Sequence, residues 1–114
     1  MIRHTILFKV KSTVADAEID NALAAMKELE TVLPDVFSVD TGECQFHDDK
    51  SKFFFTYKML QGVTHAVSID FMNENALEDF FVNPATKIAK ELVVRIAENG
   101  YKGIIGFDLE SQEI

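Results

Sequence analysis

The stretch IRHTILFKV, residues 2–10, decides the fold of this chain because apolar residues recur at every second position. Side chains along a β-strand point alternately to its two faces, so one face carries Ile2, His4, Ile6, Phe8 and Val10. Residues 63–71, VTHAVSIDF, repeat this pattern with His65 in the apolar set. Each histidine is therefore predicted to point toward an interior, where a buried imidazole needs a hydrogen-bond partner.

The remaining sequence predicts two more strands and three helical segments around these two. Strands are predicted over residues 2–11, 36–44, 63–71 and 101–109, with Phe37, Val39 and Thr41 on one face of the second. Apolar residues at helical spacing between Ile19 and Leu33 predict a first helix, capped by Thr13 and ended near Pro34. The next helix is predicted to open at Asn73 or Asn75 and to stop at Asn83-Pro84. The last helix follows at once and ends at Asn99-Gly100.

The resulting order is β-α-β-β-α-β, which predicts an α+β, ferredoxin-like fold with an antiparallel sheet and the first strand beside the third. We expect one domain over residues 1–114. Helices on one face of the sheet leave the other face uncovered, and a second subunit is the usual cover. The sequence therefore predicts a homodimer, with two sheets forming a dimeric α+β barrel.

Composition excludes several classes of function. The net charge is −8, with 19 acidic and 11 basic residues, so a nucleic-acid partner is disfavoured. No apolar run approaches the roughly 18 residues that a membrane-spanning helix needs, and a membrane partner is not expected. A single cysteine, Cys44, excludes an internal disulfide. Together with a first segment unlike a signal peptide, this predicts a cytoplasmic location.

Four segments together resemble one known family. The opening Arg3-His4-Thr5-Ile6-Leu7-Phe8-Lys9, the strand entry at residues 62–67, the helix over residues 75–84 and the closing Gly106-Phe107-Asp108 are similar to the stress-responsive A/B barrel (Dabb) family. The resemblance spans almost the whole chain except residues 52–59. No single motif is specific, and the order and spacing of all four carry the resemblance.

The resemblance implies a dimer of ferredoxin-like subunits and a pocket between sheet and helices. One plant member of the family is a cofactor-independent polyketide cyclase, so no cofactor is expected. His4 and His65 match two of its pocket histidines, and Phe80 stands at its pocket tyrosine. Where the family often has His-Pro-x-His, this chain has Asn83 and Thr86 in place of both histidines. Because one of those histidines is the proposed general base of the cyclase, the same reaction is not implied here.

These residues lead to hypotheses of different classes. The first is binding of a small, largely apolar or aromatic molecule in a cavity lined by His4, His65 and Phe80, with Asn83 and Thr86 contributing. The second is a cofactor-free cyclase, isomerase or lyase in which His4 and His65 act as acid and base. Cofactor-free monooxygenases are a third possibility, by analogy only. The fourth is a stress-related structural dimer in which both histidines fill the core.

Two segments have no assigned function. Residues 47–49, His-Asp-Asp, are interpreted as an acidic surface loop and not as a metal site. Residues 52–60 are compatible with either a strand extension or a short helix, and their three consecutive phenylalanines are expected to be buried.

Overall fold

The computed structural model of the protein describes residues 1–44 and 62–110. In these residues four strands and three helices follow in the order β1 (Ile2–Phe8), α1 (Asp16–Val32), β2 (Val36–Glu43), β3 (His65–Phe71), α2 (Glu74–Val82), α3 (Pro84–Ile96), a 3₁₀ turn (Gly100–Gly103) and β4 (Ile105–Glu110). The predicted α+β, ferredoxin-like fold is confirmed. The predictions made for residues 47–49 and 52–60 lie outside the described residues.

The sheet has the strand order β2-β3-β1-β4, and every neighbouring pair is antiparallel. The predicted pairing of the first strand with the third is confirmed. β1 also pairs with β4, and this second register brings His4 opposite Asp108. His4 therefore lies between Ile69 on one side and Asp108 on the other.

The core lies between one face of the sheet and the helices. That face, called here the inner face, buries the alternating apolar residues of β1 and β3 completely at Phe8, Val67 and Phe71. Helices α1 and α3 cover it with a second set of buried side chains that includes Met26, Leu29, Ala89, Val93 and Ile96. No helix in residues 1–44 and 62–110 has the length and apolar character needed to cross a membrane.

The opposite face of the sheet, called here the outer face, carries Arg3, Thr5, Leu7, Asp70, Ile105, Phe107 and Leu109. The three apolar residues of β4 are 42–57% exposed. Arg3 donates two hydrogen bonds to Asp70, at 2.7 and 3.0 Å. These bonds hold the pKa of the Asp70 carboxyl below its usual range. The outer face thus combines an uncovered apolar strip with a paired charge.

Both helix caps predicted around α2 are present. The Asn73 side chain accepts a hydrogen bond from the Ala76 N–H at 3.0 Å, which selects Asn73 over Asn75 as the start of α2. Asn83 then ends α2 and caps α3, where Pro84 occupies the first turn. The long apolar segment is therefore divided into two helices at the predicted position.

The predicted cap at Thr13 is wrong. Helix α1 begins at Asp16, and Ala15 is the residue at its N-cap. The Glu18 side chain accepts a hydrogen bond from the Ala15 N–H at 3.1 Å, so a carboxylate in the first turn satisfies this end of the helix.

The predicted face of β2 is also wrong at Phe37. Val36 pairs with Phe71, but Ser38 pairs with the next residue, Asp70, so Phe37 is an extra residue in a β-bulge. A bulge shifts the alternation of side chains by one position. Val39 is buried on the inner face, whereas Phe37 is 54% exposed and does not share that face.

The last strand begins four residues later than predicted. Asn99 and Gly100 both have positive φ angles, of 65° and 56°, and the chain then makes a 3₁₀ turn before β4. A Cβ atom at Gly103 would overlap the carbonyl oxygen of Glu98, so only glycine fits this turn. The turn brings the short segment before β4 against the helices.

Candidate functional site

A mostly apolar cavity of about 320 Å³ lies between the inner face of β1 and β4, the helices and the 3₁₀ turn. We call it the His4 cavity. Its wall comprises His4, Ile6, Met26, Phe81, Lys90, Val93, Val94, Tyr101, Ile104, Gly106, Phe107 and Asp108. Gly106 has no side chain to fill the space opposite Ile6, which leaves room for the cavity at the sheet. The volume is within the range of small-molecule sites.

His4 is the central polar group of this wall. Its Nδ1 atom lies 2.6 Å from Oδ1 of Asp108 across the β1–β4 pairing. The His4 side chain is 12% exposed, and that of Asp108 is 43% exposed. An ionised carboxylate only accepts hydrogen bonds, so Nδ1 is the donor and the neutral ring carries its lone pair on Nε2. The pair therefore provides an oriented imidazole with a proton-accepting atom.

Two phenylalanines of α2 pack against the His4 ring. The ring centroids of Phe80 and Phe81 lie 5.4 and 5.6 Å from that of His4. Phe81 is half-exposed and lines the cavity, whereas Phe80 is only 1% exposed and packs against Phe71. Phe80, predicted to line the pocket, is thus placed as a support for His4.

His65 lies apart from His4. It pairs with Phe8, four residues along β1 from His4. At about 3.4 Å per residue this offset separates the two histidines by roughly 14 Å along the strands. His65 is not part of the wall of the His4 cavity, and its Nδ1 atom lies 2.7 Å from Oγ1 of Thr64. A direct proton exchange between the two histidines does not fit this geometry.

The two residues at the start of α3 have different surroundings. The Asn83 side chain accepts a hydrogen bond from the Ala85 N–H at 2.8 Å and is occupied as a helix cap. Thr86 is 1% exposed, and its Oγ1 atom has no hydrogen-bond partner in the described structure. Neither residue belongs to the wall of the His4 cavity. A buried hydroxyl without a partner costs free energy.

This unpaired hydroxyl makes Thr86→Val a stabilising substitution. We expect the free energy of unfolding to rise by about 1 kcal/mol, because valine keeps the shape and removes the desolvated polar atom. Thr64→Val is the matched control, since the Thr64 hydroxyl is bonded to Val10, Phe8 and His65. The control is expected to lose about 1–3 kcal/mol in urea unfolding. A Thr86→Val protein less stable than the wild type would contradict this description of Thr86.

Sequence reasoning missed three polar residues of the cavity, Lys90, Tyr101 and Asp108. The sequence marks Asp108 only through the family resemblance, because the β1–β4 register that brings it to His4 is not visible in the sequence. Lys90 stands in an amphipathic helix, where a lysine is ordinarily exposed. The sequence signal that could have found Lys90 is its spacing. It stands four residues after Thr86 and three before Val93, which are both buried, and this spacing puts it on the inner side of α3.

The described residues offer neither a metal site nor a reactive thiol. In residues 1–44 and 62–110 no three histidine, cysteine, aspartate or glutamate side chains lie close enough together to hold a metal ion. Burial, with a smaller effect from Glu43, raises the pKa of the Cys44 thiol. A raised pKa lowers the thiolate fraction, and Cys44 is therefore a poor nucleophile.

Comparison with family models identifies the class of protein. The stress-responsive A/B barrel domain (Dabb) matches residues 2–110. The chain therefore belongs to this family, as the sequence predicted. No curated protein matches the chain.

Solved structures share the fold over almost the whole chain. A dimeric ferredoxin-like protein of unknown function from Jannaschia sp. CCS1 has 22% identity and a TM-score of 0.79, over 96% of this chain and 98% of that one. The hydroxynitrile lyase of Passiflora edulis has 18% identity and a TM-score of 0.76, over 99% and 95%. A cofactor-independent oxygenase from Streptomyces nogalater has 10% identity and a TM-score of 0.66, over 99% and 94%. At these identities the likeness establishes the fold and not a reaction.

Proposed function

We propose that this protein binds a small, largely apolar molecule in the His4 cavity. The observation that carries the proposal is a mostly apolar cavity with one oriented imidazole in its wall. Ligand sites typically combine apolar walls with a few placed polar groups. The apolar wall favours a hydrocarbon or aromatic body, and Nε2 of His4 fixes its orientation by accepting a hydrogen bond from a hydroxyl or another acidic group.

A second candidate function is cofactor-free proton transfer on the bound molecule, and the His4–Asp108 pair favours it. The Asp108 carboxylate holds Nδ1 at 2.6 Å and so keeps Nε2 as the acceptor. A cyclase, an isomerase or a lyase can each begin by removing a proton to such a base. A neighbour of the same fold is a cofactor-independent oxygenase, which supports a reaction without a cofactor, and another is a hydroxynitrile lyase, which supports a lyase reaction. His65 is too far away to act as the second proton carrier at this site.

Filling the cavity from Gly106 tests whether the site binds anything. A Cβ at Gly106 would be 3.5 Å from Ile6 Cγ2 and 3.9 Å from the Thr5 carbonyl oxygen, which are ordinary contacts. We expect Gly106→Val to occupy the cavity and to weaken binding of the neutral probe 2-phenylethanol by about tenfold or more in ligand-detected NMR. The wild-type protein is expected to bind this probe.

Two further proteins complete this test. Ala24 is exposed on α1, so Ala24→Val is a control that adds a valine outside the cavity and away from the outer face. It is expected to bind the probe as the wild type does. His4→Ala is expected to keep the fold and weaken binding. Equal probe binding by wild type and Gly106→Val would show that the His4 cavity is not the binding site, and no binding at all would leave the ligand-free structural dimer as the better description.

We also propose that the protein is a homodimer joined through the outer face. The exposed apolar strip of β4 needs cover, and the Jannaschia neighbour is described as dimeric. The Arg3–Asp70 ion pair lowers the cost of burying this face, because each charge already has a partner.

A single cysteine and the acidic net charge are compatible with the cytoplasmic location expected from the sequence.

A further inference from the structure

Lys90 is the cationic group in the wall of the His4 cavity. It projects from α3, and its Nζ atom lies 4.9 Å from the ring centroid of Phe81 and 5.4 Å from that of Phe80. These are the two rings that also contact His4. The ammonium group and the imidazole therefore lie against the same aromatic pair, in the wall of one cavity.

The surroundings of Lys90 leave its charge without an anionic partner in the described structure. Its Nζ atom forms no ion pair within 4 Å with any residue of 1–44 or 62–110. Burial lowers the pKa of the Lys90 ammonium below its usual value. The aromatic faces offset only part of this desolvation.

Asp108 is the carboxylate in the same wall, and it is already engaged by His4 at 2.6 Å. An anion in the cavity would therefore meet an unpaired ammonium at Lys90 and a paired carboxylate at Asp108. Tyr101 adds a hydroxyl at the exposed side of the wall. The electrostatics of the described wall favour a ligand with one negative end.

We propose that the ligand of the His4 cavity is a small apolar carboxylate, with its carboxylate group at Lys90 and its apolar body against the cavity wall. This inference rests on the proposed function and adds the charge of the ligand to it. A bound carboxylate supplies the counter-ion that the described residues do not, and a charge-assisted hydrogen bond to an ammonium is stronger than a neutral one. The remaining length of the molecule then reaches Nε2 of His4.

Matched probes that differ in charge test the inference. Phenylacetate and 2-phenylethanol have similar apolar bodies, and only the first is an anion. We expect wild-type protein to bind phenylacetate about tenfold more tightly than 2-phenylethanol in NMR titrations. Lys90→Gln is expected to remove this preference by weakening phenylacetate about tenfold more than it weakens 2-phenylethanol. Lys90→Arg keeps the charge and is expected to keep the preference.

Lys87→Gln is the control, because Lys87 is exposed on the same helix and its removal changes the net charge equally. It is expected to bind both probes as the wild type does. Equal wild-type affinities for the two probes, or a preference that survives in Lys90→Gln, would overturn the carboxylate inference. In either case, binding of 2-phenylethanol would still uphold the proposed cavity. Loss of the preference in Lys87→Gln as well would also overturn it, because the effect would then come from overall charge. If the wild type binds neither probe, both proposals fail together.

Discussion

Replacing Phe80 by alanine is expected to lower the free energy of unfolding by about 3–5 kcal/mol. Phe80 is only 1% exposed and contacts the rings of His4, Phe71 and Phe81. Truncation removes this contact area and leaves a void that the rigid sheet cannot close. Since small domains are stable by only about 5–15 kcal/mol, the midpoint of urea unfolding should shift strongly. Circular dichroism at a fixed protein concentration measures this shift.

The neighbouring phenylalanine provides the control for this prediction. Phe81 is on the same helix but is 48% exposed, so Phe81→Ala is expected to cost no more than about 1 kcal/mol. It removes part of the cavity wall and is expected to affect ligand binding more than stability. Comparable losses of stability in the two variants would show that Phe80 does not have the supporting role assigned to it here.

The sequence was sufficient to predict the elements whose signals are local. The alternation in residues 2–10 identified β1, and Asn83-Pro84 identified the division between two helices, because strand faces and helix caps depend on adjacent residues. The pairing of β1 with β3 followed from the order of elements. His4 was assigned to the inner face by the same local argument, and the structure places it in the cavity wall.

Most features that the sequence did not predict depend on contacts between distant residues. The bulge at Phe37 is set by the pairing of β2 with β3. The start of α1 is the exception, because it depends on a local hydrogen bond between Ala15 and Glu18. Asp108 reaches His4 only through the β1–β4 register. A strand pattern predicts which face a side chain occupies but not its position along that face.

The positions of the two histidines along their shared face change the chemistry that the site supports. His4 and His65 share a face, as the alternation indicates, but the β1–β3 register offsets them by four residues. In the proposed proton transfer, the partner of His4 is therefore not a second imidazole. Asp108 lies in position to orient His4, and Lys90 is the cation that would stabilise a negative charge formed on a bound molecule. The proposed site therefore combines one imidazole with one cation.

Placing a carboxylate on the outer face is expected to convert the proposed homodimer into monomers. Ile105 is 54% exposed on β4 and pairs with Leu7 in the apolar strip. In a symmetric dimer Ile105→Asp introduces one charge from each subunit, and burying an unpaired carboxylate costs several kcal/mol. We expect the dimer dissociation constant to rise by at least about a hundredfold, which corresponds to about 2.7 kcal/mol. Light scattering at micromolar concentration measures the change in mass.

A second isoleucine separates this effect from a general effect of charge. Ile88 is 62% exposed on α3, away from the outer face, so Ile88→Asp adds the same group at a surface that needs no cover. It is expected to remain dimeric. A wild-type monomer at micromolar concentration, or an Ile105→Asp protein that keeps the dimer mass, would show that the outer face is not the interface.

Because β4 also carries Asp108, a dimer joined through this strand would fix the position of the carboxylate that orients His4. Dissociation in Ile105→Asp is therefore expected to weaken binding of 2-phenylethanol as well, although Ile105 does not line the cavity.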